Sequence, residues 1–322
     1  MKFKINFDNR DKKKLFNFWD DIIKTNSWSH GKYTEIFEEK WSKYNNINSV
    51  SFSSWAGAAE SVIKYFNLSK KLILCPSNTF QATPMISISN GCKVKFVDCN
   101  KFDLCISYED LKKKISLFSP AAVWVTHIGG HISFEIEKIQ KLCKKKKIIL
   151  IEDCAHAAGA SYKNKLPGSW GDAGIYSLYA TKTISTGEGG ILVSKNKDLI
   201  EFSKSYKNYG KPLSKIVGKN FRMSEFTAAL GCIQIERLKN IVEWKNNKVI
   251  GLGKKYSNHL KLPTGMISGY YKFIIFDKIS NSTGKVYDIG CHKIFNEKII
   301  LKNTDWINKN HWCVPIYYKG NL

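Results

Sequence analysis

Two oppositely charged residues, each placed at the end of an apolar run, carry most of the chemistry legible in this chain. Asp153 closes KIILIED, and Lys182 follows AGIYSLYAT, 29 residues downstream. A lysine whose amine is partly desolvated can form an imine with an aldehyde cofactor. An aspartate facing a pyridine nitrogen keeps it protonated, so that the ring accepts electrons when a proton leaves a bound substrate. Each residue alone has a plainer reading. Asp153 would serve as a helix N-cap or strand terminus, and Lys182 as one solvated charge among many. The segment TGEGG, residues 186–190, argues for more, because it sets glycines beside the lysine where the chain must turn closely past a ligand.

Such a pair needs two strand ends that converge. From about residue 48 to 155 short β-rich runs (NSVSFS, KLILCPS, KVKFVD, AAVWVTH, KIILIED) alternate with helical stretches such as AGAAESVIKYF, LKKKISLF and FEIEKIQKLCKKK. That β-α-β alternation predicts a largely parallel sheet covered on both faces, with ligands bound beyond the carboxyl ends of its strands. Two further runs, at 173–179 and 189–195, border the loop ATKTISTGE. A helix is expected after Ser224 as N-cap, with Phe226, Ala229, Leu230, Ile233 and Leu238 as its apolar stripe. Beyond about 240 a lysine-rich helix (241–260), YYKFIIF and a tail ending HWCVPIYYKGNL suggest a second unit. The expected division is a large domain over 1–240 and a smaller α/β domain over 241–322.

Composition narrows the classes. Of 322 residues, 43% are hydrophobic and 24% charged, with no apolar run of about 18 residues that would span a membrane. The start, MKFKINFDNRDKKK, lacks the apolar stretch of a signal peptide, so a cytoplasmic protein is expected. Nine cysteines form no C-x-x-C pair and sit mostly in apolar runs, so they are expected as buried thiols, not zinc ligands or disulfides. A net charge of +24 raises a nucleic-acid partner, but arginine occurs only at Arg10, Arg222 and Arg237. Lysine spread along the whole chain is a poor reader of bases or bidentate phosphate gripper. The basic surface would instead help to attract an anionic small molecule.

The stretch LIEDCAHAAGASYKNKLPGSWGDAGIYSLYATKTISTGEGGILVSK resembles the signature of the DegT/StrS family of sugar-nucleotide aminotransferases, fold-type-I enzymes that use pyridoxal phosphate. NSWSHGKYTEIFEEKWSKY is similar to the family's N-terminal segment, PSNTFQATPMISISNGCKVKFVD to its ring-stacking segment, and GKNFRMSEFTAALGCIQIERL to its dimer-contacting helix. The resemblance implies a mainly parallel seven-stranded-type sheet between helices. It implies that Lys182 carries the Schiff base, Asp153 pairs with the pyridine nitrogen, His156 contacts the ring region, Phe80 stacks on its face and Ser177 bonds its phosphate. Asn220 would reach the phosphate of a neighbouring subunit, which implies a homodimer with shared active sites. Glu188 would shape the loop or touch substrate, His311 would lie in a substrate-side His-x-x-x-Pro region or be structural, and Arg222 would anchor its helix through an ion pair.

Two features depart from the family pattern. The phosphate turn, usually Ser-Gly-Thr-x-Ala, reads Ser54-Trp55-Ala56-Gly57-Ala58, so a hydroxyl is missing at Ala56. Backbone N–H groups at the helix start can still hold phosphate there. The tail also stops soon after HWCVPIYY, earlier than is usual in the family. The implied reaction moves an amino group, with glutamate as donor, onto a keto-sugar nucleotide, for surface polysaccharide or glycoconjugate synthesis. Three alternatives stand beside it. One is a sugar-nucleotide dehydratase of the same fold, whose members have histidine where this chain has Lys182. The others are a non-catalytic binding relative and a basic nucleic-acid-binding protein.

Overall fold

The computed structural model describes residues 7–212 and 216–319. Helices α1 (Asn9–Thr25) and α2 (Lys32–Asn45) precede an alternating series: β1 (Asn48–Phe52), α3 (Trp55–Tyr65), β2 (Leu72–Pro76), α4 (Ala82–Ser89), β3 (Lys93–Val97), α5 (Tyr108–Phe118), β4 (Ala122–Thr126), α6 (Ile136–Lys146) and β5 (Ile149–Asp153). Then come β6 (Ser161–Tyr162), β7 (Ala173–Ser177), β8 (Gly190–Ser194), α7 (Lys197–Tyr206) and α8 (Glu225–Lys255). The remainder forms β9 (Met266–Ile267), β10 (Phe273–Ile275), α9 (Cys291–Ile294), α10 (Lys302–Lys309) and β11 (Trp312–Val314).

Seven strands form one sheet in the order β1-β8-β7-β5-β4-β2-β3. All neighbours from β7 to β3 are parallel, while β8 runs antiparallel to both β7 and β1. Near-continuous apolar runs are what a sheet covered on both faces requires. Successive side chains of each strand enter different cores. Trp124 of β4 and Ile151 of β5 join the cluster under α3, whereas Val123, Val125 and Leu150 join the one under α5 and α6. The third large cluster gathers Ile191 and Val193 of β8 with Phe37 and Trp41 of α2 and Cys232 and Leu238 of α8.

Buried polar groups tie these layers together. Glu225, in the first turn of α8, accepts hydrogen bonds from the backbone N–H of Gly31, Tyr33 and Thr34 and from the Thr34 hydroxyl, so it caps α2 from across the fold. Glu152, one residue before Asp153, accepts from the N–H groups of Gly168, Trp170 and Gly171 and from His127 Nε2. A metal-like trio of His127, Glu152 and Cys154 lies there within 4.8 Å, but both carboxylate oxygens are already spent on protein donors. These bonds fix the turn that feeds β7. All nine cysteines are free and buried.

Ser224 caps α8 through the N–H of Thr227, as the sequence leads one to expect. The helix then continues for 31 residues without a break, so the expected division at 240/241 falls inside it. The apolar stripe runs on through Ile241 to Leu252 and leaves no point at which to stop. Residues after 255 pack partly on one another, through Phe273, Ile275 and Val314, and partly into the main core, through Cys291 and Leu301. No described helix is long and apolar enough to cross a membrane.

Candidate active site

Strand β5 delivers Asp153 and strand β7 delivers Ser177 to the same carboxyl edge, because the two strands are parallel neighbours with Asp153 in register with Ile175. Asp153 is buried. Its Oδ1 accepts from Ala155 N at 3.1 Å and its Oδ2 from the Thr83 hydroxyl at 2.8 Å. Thr83 contacts Thr79 at 3.2 Å, and Thr79 contacts Thr126 at 2.9 Å, so threonines after β2, at the end of β4 and in the first turn of α4 line the floor behind the carboxylate. Burial raises the Asp153 pKa, opposed by those two donors and then by the charge of Lys182.

Lys182 lies on the loop between β7 and β8, and its backbone N–H donates to Tyr179 O at 2.9 Å. The loop is a closed structure. Thr186 N and the Ser185 hydroxyl both donate to Leu178 O, and Gln234 of α8 donates to Ser185 O at 2.7 Å. Gly187 turns the chain at φ +85°, a conformation side chains with a Cβ resist. At Gly190 a Cβ would sit 2.4 Å from Ser54 O, so glycine is what lets the loop end lie against the start of α3. Burial pulls the Lys182 amine down from 10.5 to about 8, with Asp153 opposing and Lys272 assisting.

A residue that sequence reading did not single out stands between these groups. Tyr271, just before β10, has its ring 4.9 Å below Lys182 Nζ and stacked 4.2 Å from His156, and its hydroxyl is 3.0 Å from that of Thr181. His156 also stacks on Tyr287 at 5.8 Å, with Nε2 3.4 Å from the Tyr287 hydroxyl, while its Nδ1 is buried with no partner. Burial first, then the charges of Lys182 and Lys272, hold this imidazole well below its ordinary pKa and therefore neutral. The run YYKFIIF reads locally as a strand, so nothing in it reveals that Tyr271 reaches the lysine.

The remaining expected residues fall in different surroundings. Ser177 is half-buried at the end of β7, with its hydroxyl accepting from Tyr179 N at 3.3 Å. Ser54 is the N-cap of α3 and accepts from Gly57 N. Trp55 is turned inward against Trp124, with its indole N–H unpartnered, whereas Ala56 is exposed. Phe80 precedes α4 and is 57% exposed, and Glu188 is exposed between the loop glycines. Asn220 is exposed and accepts from Arg222 N. Arg222 bonds Asn208 at 3.0 Å and lies over the Tyr209 ring, so an amide and an aromatic face stand where an ion pair was expected. His311 departs furthest from a substrate role. It is fully buried, with Nδ1 donating to Ile307 O and Nε2 accepting from Val286 N, both nitrogens being spent on the backbone.

The fold is shared with solved aminotransferases at low identity. A DegT DnrJ EryC1 StrS aminotransferase from Brucella abortus superposes with a TM-score of 0.90 at 18% identity, covering 96% of this chain and 92% of that one. Helicobacter pylori PseC, an aminotransferase involved in the biosynthesis of pseudoaminic acid, gives 0.86 at 23%, covering 99% and 94%. In sequence, the UDP-4-amino-4,6-dideoxy-N-acetyl-beta-L-altrosamine transaminase of Campylobacter jejuni is 31% identical over 327 residues, 91% of this chain and 86% of that protein. The GDP-perosamine synthase of Escherichia coli O157:H7 is 30% identical over 239 residues, 72% of this chain and 65% of that protein's length. Residues 9–261 match the model of the DegT/DnrJ/EryC1/StrS aminotransferase family, and this chain is therefore an enzyme of that family.

Proposed function

We propose that this enzyme transfers an amino group, with glutamate as donor, to a keto-sugar carried on a nucleotide. The observation that carries the reading is the convergence of Lys182, its amine drawn down to about 8, with the buried Asp153 at one sheet edge. The activities by which the Campylobacter and Escherichia relatives are named, both on nucleotide-linked amino sugars, support the substrate class.

The family's cofactor is pyridoxal phosphate, and the residues present fit it. Asp153 has only neutral donors bonded to its carboxylate, so a cationic pyridine nitrogen would offset its burial. His156 Nδ1 is a buried atom without a partner, free for an oxygen of the ring. Ser54, Ser177 and the N-terminus of α3 would hold the phosphate. When bound, the cofactor supplies an electron sink. Lys182 Nζ supplies the attachment point and a base that takes and returns a proton near neutral pH. The neutral His156 keeps a second positive charge away from that amine, and Tyr271 closes the site from the C-terminal segment.

The wider reading has three parts. Asn220, exposed on the loop before α8, would reach a second copy's phosphate, giving a homodimer with shared sites. Residues beyond α8 would form the smaller unit that shapes the sugar pocket, and the enzyme would work in the cytoplasm. The test is near-visible absorbance of the purified protein with pyridoxal phosphate, before and after glutamate, followed by a panel of keto-sugar nucleotides. Loss of the bound-cofactor band on adding glutamate, absent in Lys182→Ala, is expected. An unchanged band, or release of a hydroxyl with no amine gained by the sugar, would favour the dehydratase or binding alternative.

A further inference from the structure

Behind Lys182 lies a cavity of about 70 Å³. Four cationic side chains, Lys182, Lys245, Lys272 and Arg237, face it, among hydroxyl-bearing residues such as Thr181 and Thr283 and apolar ones such as Ile241 and Val314. Arg237 is already engaged, since it pairs with Asp11 at 3.1 Å, donates to Gln234 and lies over Phe7. Gln234 is spent on Arg237 and on Ser185 O. Lys182 has the charge of Asp153 nearby. Lys245 and Lys272 are different, because among the described residues neither has a carboxylate within 4.0 Å.

Lys245 projects from α8 and is only 5% exposed. Its Nζ donates to Tyr270 O at 2.9 Å, which satisfies one of three N–H donors. A buried ammonium without a counter-charge is costly. Burial, with the charge of Lys272, draws Lys245 down to about 7. Lys272 is two residues past Tyr270, half-buried, with its Nζ over the Tyr271 ring at 5.2 Å. Two amines therefore converge on the cavity beside Lys182, with no carboxylate within 4.0 Å of either among the described residues.

We propose that the cavity framed by Lys182, Lys245 and Lys272 is a subsite for an anionic oxygen group of a substrate, either the carboxylate of the amino donor or the diphosphate of the sugar nucleotide. Its volume admits a group of a few oxygens, and partial exclusion of bulk water strengthens charge pairing there. Lys245 reaches the cavity from α8 and Lys272 from the segment before β10, and an anion held between them would keep the Lys245 amine protonated. The assignment rests on the aminotransferase reading for the identity of the ligand, but not for the existence of an anion site.

The experiment is calorimetric titration of the cofactor-loaded enzyme, at constant low ionic strength, with two probes that cannot react: glutarate and inorganic pyrophosphate. At least one is expected to bind, and Lys272→Met is expected to weaken it about tenfold or more. Weakening confined to glutarate assigns the site to the donor, weakening confined to pyrophosphate assigns it to the nucleotide, and weakening of both gives a shared anion subsite. Lys245→Arg should retain binding that Lys245→Met loses, which separates charge from a general folding defect. Failure of both probes to bind wild-type enzyme, or equal affinity in Lys272→Met, overturns the proposal. Since the probes need no turnover, Lys272-dependent binding in an enzyme whose absorbance ignores glutamate would leave the subsite standing while the aminotransferase reading fell.

Discussion

At the scale of single residues, the decisive quantity is the protonation of Lys182. With a pKa of about 8 instead of 10.5, about one amine in ten is uncharged at pH 7, against about one in three thousand for an ordinary lysine. The folded-state value is lowered, so raising the pH through 8 frees the amine well before 10.5. The second-order rate of pyridoxal phosphate attachment to cofactor-free protein should therefore rise up to about pH 8 and level off, as read by stopped-flow absorbance. A rate still climbing steadily to pH 10 would mean that burial and Lys272 do not tune this amine. Lys182→Ala should lower turnover by about a thousandfold or more, because both the attachment point and the proton carrier are lost. Tyr271 contacts Lys182, His156 and Thr181 together, and so links the C-terminal segment to the proposed catalytic lysine.

At the scale of elements, the start of α3 does two things at once. Ser54 caps the helix, and in the proposed site the helix end would offer backbone donors to a phosphate. Ser54→Ala should cost about 1 kcal/mol of stability in urea unfolding and weaken pyridoxal phosphate binding as well. Ala56→Thr would restore a hydroxyl in the first turn of the same helix, and fluorescence titration should then show a several-fold lower cofactor Kd. No change in that Kd would mean that position 56 does not face the phosphate. Trp55 occupies a place where the family pattern has glycine, and its ring is taken up by packing on Trp124.

Over the whole molecule, helix α2, strand β1 and the segment after α7 are joined by an ion pair between the buried Lys207 and the half-buried Glu38. Lys207 Nζ lies 2.8 Å from Glu38 and also donates to Ser51 O, while Glu38 accepts from the Ser51 N–H and hydroxyl. Lys207→Met would strand the carboxylate and should cost about 3 kcal/mol or more in urea unfolding; a loss below about 1 kcal/mol would show that water reaches the pair. The proposed shared-site dimer makes its own prediction. Lys182→Ala and Asn220→Ala proteins, each inactive alone, should regain up to about a quarter of wild-type activity after subunit exchange, since heterodimers would hold one intact site in two. No recovery despite exchange would place both residues in one subunit's site.

Local chemistry fixed much of this in advance. Apolar runs and their spacing made the sheet legible, because a strand buried on both faces must be apolar along its length. Ser224 announced the start of α8, since an N-cap is a contact between residues three apart. Asp153 and Lys182 stood out because each ends an apolar run, the position that a sheet edge turns toward a ligand. What needed the tertiary structure were contacts between residues far apart in the chain. Tyr271 stacking on His156, Lys272 and Lys245 converging behind Lys182, and His311 spending both nitrogens on distant backbone have no local signature. The continuity of α8 was hidden for a different reason: a helix after Ser224 and a helix over 241–260 were each legible, but no local signal shows that they form one helix ending at Lys255. Periodicity and caps are written within a few residues, whereas burial, charge balance and stacking depend on which distant segments the fold brings together.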